Sequence, residues 1–147
     1  MEFFSELGYF GLFISSFLAA TILPLSSEIV LSVLLLNEFD PKILLTVATI
    51  GNVLGAFTNY AIGFWGSKVV AQNILKISED EFIKAKERFK KYGLYSLFFA
   101  WVPIIGDPLT VVAGVLRINI LWFFILVASG KFIRYVIIIY ATLQLQP

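Results

Sequence analysis

Cysteine and histidine are both absent from the 147 residues. Their absence excludes disulfides, thiolate or imidazole metal sites, Cys–His catalysis and any Ser–His–Asp triad. No G-x-S-x-G nucleophile elbow occurs either. Charge is scarce, at 14% of residues, where a soluble domain carries about 25%. The 11 Lys and Arg are balanced by 10 Asp and Glu, so no basic surface dominates and nucleic acid is not an expected partner. What fills the chain instead is 59% hydrophobic and 16% aromatic residues, with a mean hydropathy of +0.90. That leaves too little polar surface to coat a globule, and implies one integral membrane domain. The start, Met1-Glu-Phe-Phe-Ser-Glu6, is acidic, whereas a secretory signal begins with positive charge; no cleaved segment is expected.

Residues 3–36 are apolar for too long to be one span and too short for two, since about 20 residues cross a bilayer. The run is interrupted at Pro24-Leu-Ser-Ser-Glu28. The economical solution is a helix over 3–22, a break, and a short helix over 27–36 capped by Ser26 or Ser27. Together they form a hairpin that enters the membrane and returns, with Glu28 at its bend. A polar turn, 37–42, leads to a complete span over 43–65. Gly51, Gly55 and Gly63 suit close helix packing there, and Asn52 and Asn59 serve either interhelical hydrogen bonding or a site.

The strongly charged segment is 68–92. Ser78-Glu-Asp-Glu81 reads as a capping box. Phe82, Ala85, Phe89 and Tyr92 then recur at helical spacing among lysines, which predicts an amphipathic helix on the membrane surface. The concentration of Lys and Arg places loop 67–92 in the cytoplasm.

Stretch 94–116 repeats the first pattern: apolar, broken by prolines, with an acid at the bend. Within W-V-P-I-I-G-D-P the helix should break between Pro103 and Pro108, around Gly106, and restart with Asp107 as cap and Pro108 at the first position. One kinked span is the alternative. After a turn at Arg117-Ile-Asn-Ile120, a second span over 121–142 contains Lys131 and Arg134. Each cation costs about 2.5–3.5 kcal/mol on insertion scales, and the i, i+3 spacing puts both on one face.

Pro24-Leu-Ser is echoed by Pro108-Leu-Thr, and Gly51-Asn52 with Tyr60 by Gly130-Lys131 with Tyr140. The expected fold is all-α: two inverted repeats, 1–66 and 93–147, each a re-entrant helical hairpin plus a transmembrane helix, joined by the 67–92 connector. Broken helices meeting near the midplane are typical of secondary transporters. In such a site Lys131 and Arg134 would hold an anionic head group, with Asn52 and Tyr135 as polar partners and the short helices' N-termini adding N–H groups. Glu28 and Asp107 would either pair with the cations or carry a proton. No cofactor or metal is expected. A structural or assembly role, a lipid-phosphate enzyme and an oligomeric channel are the competing classes, the enzyme disfavoured by the missing histidine.

Pro24-Leu-Ser-Ser-Glu28, Gly51-Asn-Val-Leu-Gly55-Ala with Tyr60 and Gly63, and Pro103 through Ala113-Gly114 resemble the DedA family, also called SNARE-associated or VTT-domain membrane proteins. Gly130-Lys131-Phe-Ile-Arg134-Tyr135 is similar to its small YqaA-type branch. The resemblance implies two opposed re-entrant hairpins and lipid transport across the bilayer, with no enzymatic activity. For bacterial members it implies undecaprenyl phosphate recycling and dependence on the proton gradient; for eukaryotic relatives, phospholipid scrambling. It further implies a bacterial or archaeal cytoplasmic membrane, a lipid substrate and a possible homo-oligomer. Glu28 falls on the acid of the family's first hairpin, and Pro103 and Gly114 on the proline and glycine of the second. Where the family pattern carries arginines in that second hairpin, this chain has Ala100 and Gly106.

Overall fold

The computed structural model describes residues 2–21, 26–66, 68–75, 77–102 and 106–145. Helix α1 (Glu2–Thr21) and the short α2 (Ser26–Leu36) precede α3 (Pro41–Trp65). Two connector helices follow, α4 (Lys68–Leu75) and α5 (Glu79–Tyr92), then a 3-10 segment (Gly93–Trp101), α6 (Gly106–Val115) and α7 (Ile120–Gln144). No strand occurs among the described residues. The boundaries follow local chemistry. Asp40 accepts from the Lys42 N–H at 2.8 Å with Pro41 in the first helical position, and Asn119 accepts from the Leu121 N–H at 2.9 Å. Each satisfies N–H groups that a helix start leaves unpaired. Ser78 caps α5 by accepting from the Glu81 N–H, and Gly93, at φ +66°, ends it in a backbone conformation that favours glycine.

Only α3 and α7 among the described helices are long and apolar enough to cross a bilayer. At 1.5 Å per residue, 25 residues reach about 37 Å, against a hydrocarbon core of about 30 Å. Ten-residue α6 and eleven-residue α2 do not reach across. Outward-facing Phe124, Ile125, Phe132, Ile133 and Ile137 of α7 are all exposed, an apolar patch that lipid would cover. The chain is a helical membrane protein.

Two apolar clusters make the core. One gathers Leu12, Leu31, Leu44, Ala48, Tyr135 and Ile139; the other includes Ala56, Tyr60, Phe89, Leu109, Phe123 and Val127. Because α3 enters the first cluster by its start and α7 by its end, the two spans run antiparallel. α3 is the hub. A Cβ on Gly55 would meet the Phe17 carbonyl oxygen of α1, and one on Gly114 of α6 would meet the Tyr60 carbonyl oxygen; only glycine lets these backbones touch. α1 packs on α3 and the 3-10 segment on α7, whereas α2 also reaches α7 and α6 lies against α3.

Three expectations are corrected. The connector holds two helices, and the stripe Phe82, Ala85 and Phe89 is buried in the protein's own core against α6 and the 3-10 segment rather than facing lipid. Tyr92 alone of that stripe is exposed. Residues 93–101 form a 3-10 rather than an α-helix. α6 starts at Gly106, so Asp107 lies in its first turn instead of capping it. Pro108, third in the helix, is tolerated because its missing N–H would have had no helical partner.

Candidate functional site

On α7 the buried face runs Phe123, Val127, Lys131, Tyr135 and Ile139, every fourth residue. Four of these fill the two apolar clusters; the central one is a lysine, 1% exposed. On α3 the same four-residue rhythm passes Leu44, Ala48, Asn52, Ala56 and Tyr60, and again the central residue is polar. Asn52 stands eleven residues after Pro41, and Lys131 eleven after Ile120, so each lies about 16 Å into its span. A polar layer therefore separates the two apolar clusters.

Arg134, one turn from Lys131, pairs with the Glu28 carboxylate of α2. Asp107 of α6 and Lys131 act on each other electrostatically. Arg134 thus has an ion-pair partner on α2, and Lys131 lies within electrostatic reach of an acid on α6. Tyr135 shares a 2.9 Å hydrogen bond with Ser27, both fully buried. Ser27 therefore ties α2 to α7 instead of capping its own helix.

The α3 side is held by amides. Asn52 donates to the Ser16 carbonyl at 2.8 Å, and Asn59 to the Ala20 carbonyl at 2.7 Å and the Thr110 hydroxyl at 3.1 Å. Ala20 lies in the last turn of α1, where carbonyls lack helical partners. Thr110 donates to the Asp107 carbonyl at 2.7 Å, so Asn59 also steadies the turn that carries the acid. Among the described residues, Asn52 Oδ1, Asn59 Oδ1 and the Ser16 hydroxyl are buried with no hydrogen-bond partner.

Glu28, Asp107, Lys131, Arg134 and Tyr135 are brought together. Asn52 is spent on the α1–α3 seam by its amino group. Gly106 opens α6; Pro24 and Pro103 lie outside the described residues. Sequence reading missed Ser16, Ser27 and Thr110 as polar contributors. The signal for Ser16 was its place on the buried face of α1 between Leu12 and Ala20. Tyr140 does not echo Tyr60: it is exposed, while Tyr60 is buried and donates to the Ile118 carbonyl.

Residues 23–144 match the VTT domain. The chain belongs to the VTT-domain, or DedA, family. Inner membrane protein YqaA of Escherichia coli is 39% identical over 142 residues, covering 94% of this chain and 93% of its own. An uncharacterised protein of Haemophilus influenzae is 33% identical over 137 residues, 88% and 83% of the two chains. Undecaprenyl phosphate transporter A of Staphylococcus aureus is 26% identical over 145 residues, 88% and 70%. No solved structure matches. Glu28, Asn52, Asp107, Lys131 and Arg134 all lie within the matched residues.

Proposed function

We propose that this VTT-domain protein carries an anionic, phosphate-bearing lipid across the membrane by way of the polar layer at mid-span. The observation that carries the reading is the placement of Lys131 and Arg134 on one buried stretch of α7, Arg134 paired with Glu28 of α2 and Lys131 within electrostatic reach of Asp107 of α6. Arg grips phosphate oxygens through two parallel hydrogen bonds, and Lys adds a point charge. An arriving phosphate replaces the carboxylates as partner of the cations. The released Glu28 and Asp107 then take up protons, because an unpaired carboxylate at that depth is costly. Lipid movement is thereby coupled to proton movement.

Opposed halves give this layer its alternating access. The first helical piece of each half lies on that half's own span and the second reaches the other half's span, as an inverted repeat with re-entrant pieces requires. Most of the 11 Lys and Arg lie at the connector end, so that end faces the cytoplasm. The S. aureus relative named as an undecaprenyl phosphate transporter supports a polyprenyl phosphate as the lipid.

A second reading rests on how closed the layer is: Lys131 is 1% exposed and Arg134 is already paired. On that view the charges only lock the short helices to α7. Purified protein in vesicles holding a fluorescent polyprenyl phosphate separates the two. Leaflet exchange that needs the protein and is lost in Glu28→Gln, Asp107→Asn and Arg134→Gln supports transport; exchange unchanged in all three refutes it. Destabilised variants together with no exchange by the wild type leave the locking role.

A further inference from the structure

Away from the polar layer, two grooves lie on either side of turn 116–119 and share Ile118 as a wall. One, about 520 Å³, is lined by Phe57, Tyr60, Phe64, Trp65 and Arg117. The other, about 510 Å³, is lined by Ile83, Lys86, Lys90, Leu94 and Leu116. Their floors are apolar and their rims basic, with Glu87 the one acid lining either of them among the described residues. We propose that this double groove is an interfacial docking site for an anionic phospholipid, its acyl chains along the aromatic and aliphatic floors and its phosphate on Arg117 with Lys86 and Lys90.

Four observations select that occupant. Turn 116–119 joins α6 to the start of α7, level with the end of α3 and beside α5. Exposed Trp65 and Trp122 mark this end of the spans, as tryptophan does at the membrane–water boundary. The Arg117 guanidinium lies 4.6 Å over the Phe64 ring. Stacking occupies its face and leaves the edge donors for phosphate oxygens. Backbone geometry sets that pose, since Arg117 stands at φ +55° and the Tyr60 hydroxyl holds the next carbonyl, that of Ile118. Lastly, no acid is ion-paired with Arg117, Lys86 or Lys90 among the described residues, so three cations oppose one carboxylate, the sign an anionic head group requires. An acidic peptide would match the rim but not the two apolar floors.

The site does not depend on the transport reading, and its test is separate. Trp101→Phe with Trp122→Phe leaves Trp65 as a reporter inside the groove. In phosphatidylcholine bilayers doped with chain-brominated phosphatidylglycerol or chain-brominated phosphatidylcholine, the anionic lipid should quench Trp65 with about tenfold higher apparent affinity, the scale set by the uncompensated cations. Arg117→Gln combined with Lys90→Gln should remove that preference while the helical circular-dichroism signal stays unchanged. Equal quenching by both lipids, or a preference that survives the substitutions, overturns the proposal. So does shielding of Trp65 from both lipids by a second copy or a peptide. Should the reporter protein fail to fold, native mass spectrometry of the wild type and the Arg117→Gln, Lys90→Gln protein, titrated with the two unlabelled lipids, reads the same preference.

Discussion

Replacing Glu28 by Gln leaves the Arg134 guanidinium in place without its counter-charge. Breaking a fully buried ion pair costs about 3–5 kcal/mol, and an exposed pair is worth about 0–1 kcal/mol. Arg134 is 11% and Glu28 26% exposed, so the cost falls between these limits, about 2 kcal/mol for either single neutral variant. At roughly 2–4 °C per kcal/mol for a chain of this size, each single variant should melt about 4–8 °C lower in mild detergent. The double variant Glu28→Gln, Arg134→Gln removes both charges and leaves a neutral contact. It should lose less than the sum of the singles, by about 1.5–2 kcal/mol of coupling. Thermal unfolding followed by circular dichroism, run on the four proteins of the cycle, measures that number. Additivity within about 0.5 kcal/mol would mean the two groups do not interact, and the pairing of α2 with α7 through them would be refuted. Assaying leaflet exchange on the same four proteins adds the functional side: the double variant should be about as stable as either single variant and still fail to move lipid.

Gly114→Leu should force α6 off α3, because its side chain starts against the Tyr60 carbonyl; overpacking of this kind costs about 1–3 kcal/mol or more, and the monodisperse size-exclusion peak should diminish. A peak and melting point like wild type would contradict the close approach. Lys131→Met takes away the cation that acts on Asp107, so stability should fall, by less than the about 3–5 kcal/mol of a broken buried pair because the carboxyl can take up a proton, and lipid movement should cease. Transport that survives in a well-folded Lys131→Met protein would remove the lysine from the site. Single cysteines at Arg88 and Glu38 should be labelled by an impermeant maleimide from opposite sides in spheroplasts, Glu38 from outside; labelling from the same side would overturn the topology.

Element ends were legible because proline, serine and acids punctuate an apolar chain. α1 ends at Thr21 and α2 starts at Ser26, within a residue of expectation, and the Ser78–Glu81 start carries its capping hydrogen bond; α3 starts at Pro41 rather than Ile43, because Asp40 caps it. The membership of the polar layer was legible too, since acids and cations in apolar segments stand out. Who meets whom was not. Periodicity shows that the Phe82–Phe89 face is covered, not that α6 rather than lipid covers it. A serine after a break reads as a cap, and only the packing of α2 across to α7 shows Ser27 bound to Tyr135. The two acids and two cations allow more than one pairing, and only the packing of α2 on α7 shows Glu28 paired with Arg134. The 3-10 winding of 93–101 has no local sequence signal that we recognise.

That α2 finds its partners on α7 has a bearing on how the protein is made. Glu28 and Ser27 leave the ribosome more than a hundred residues before Arg134 and Tyr135, a wait of roughly 5–20 s at usual elongation rates. For that interval the first half sits in the bilayer with a carboxyl and a hydroxyl lacking their native partners, open to capture by insertion machinery or membrane proteases. A message that stalls before α7 yields a fragment that cannot mature, and co-expressing the two halves should rescue each from degradation.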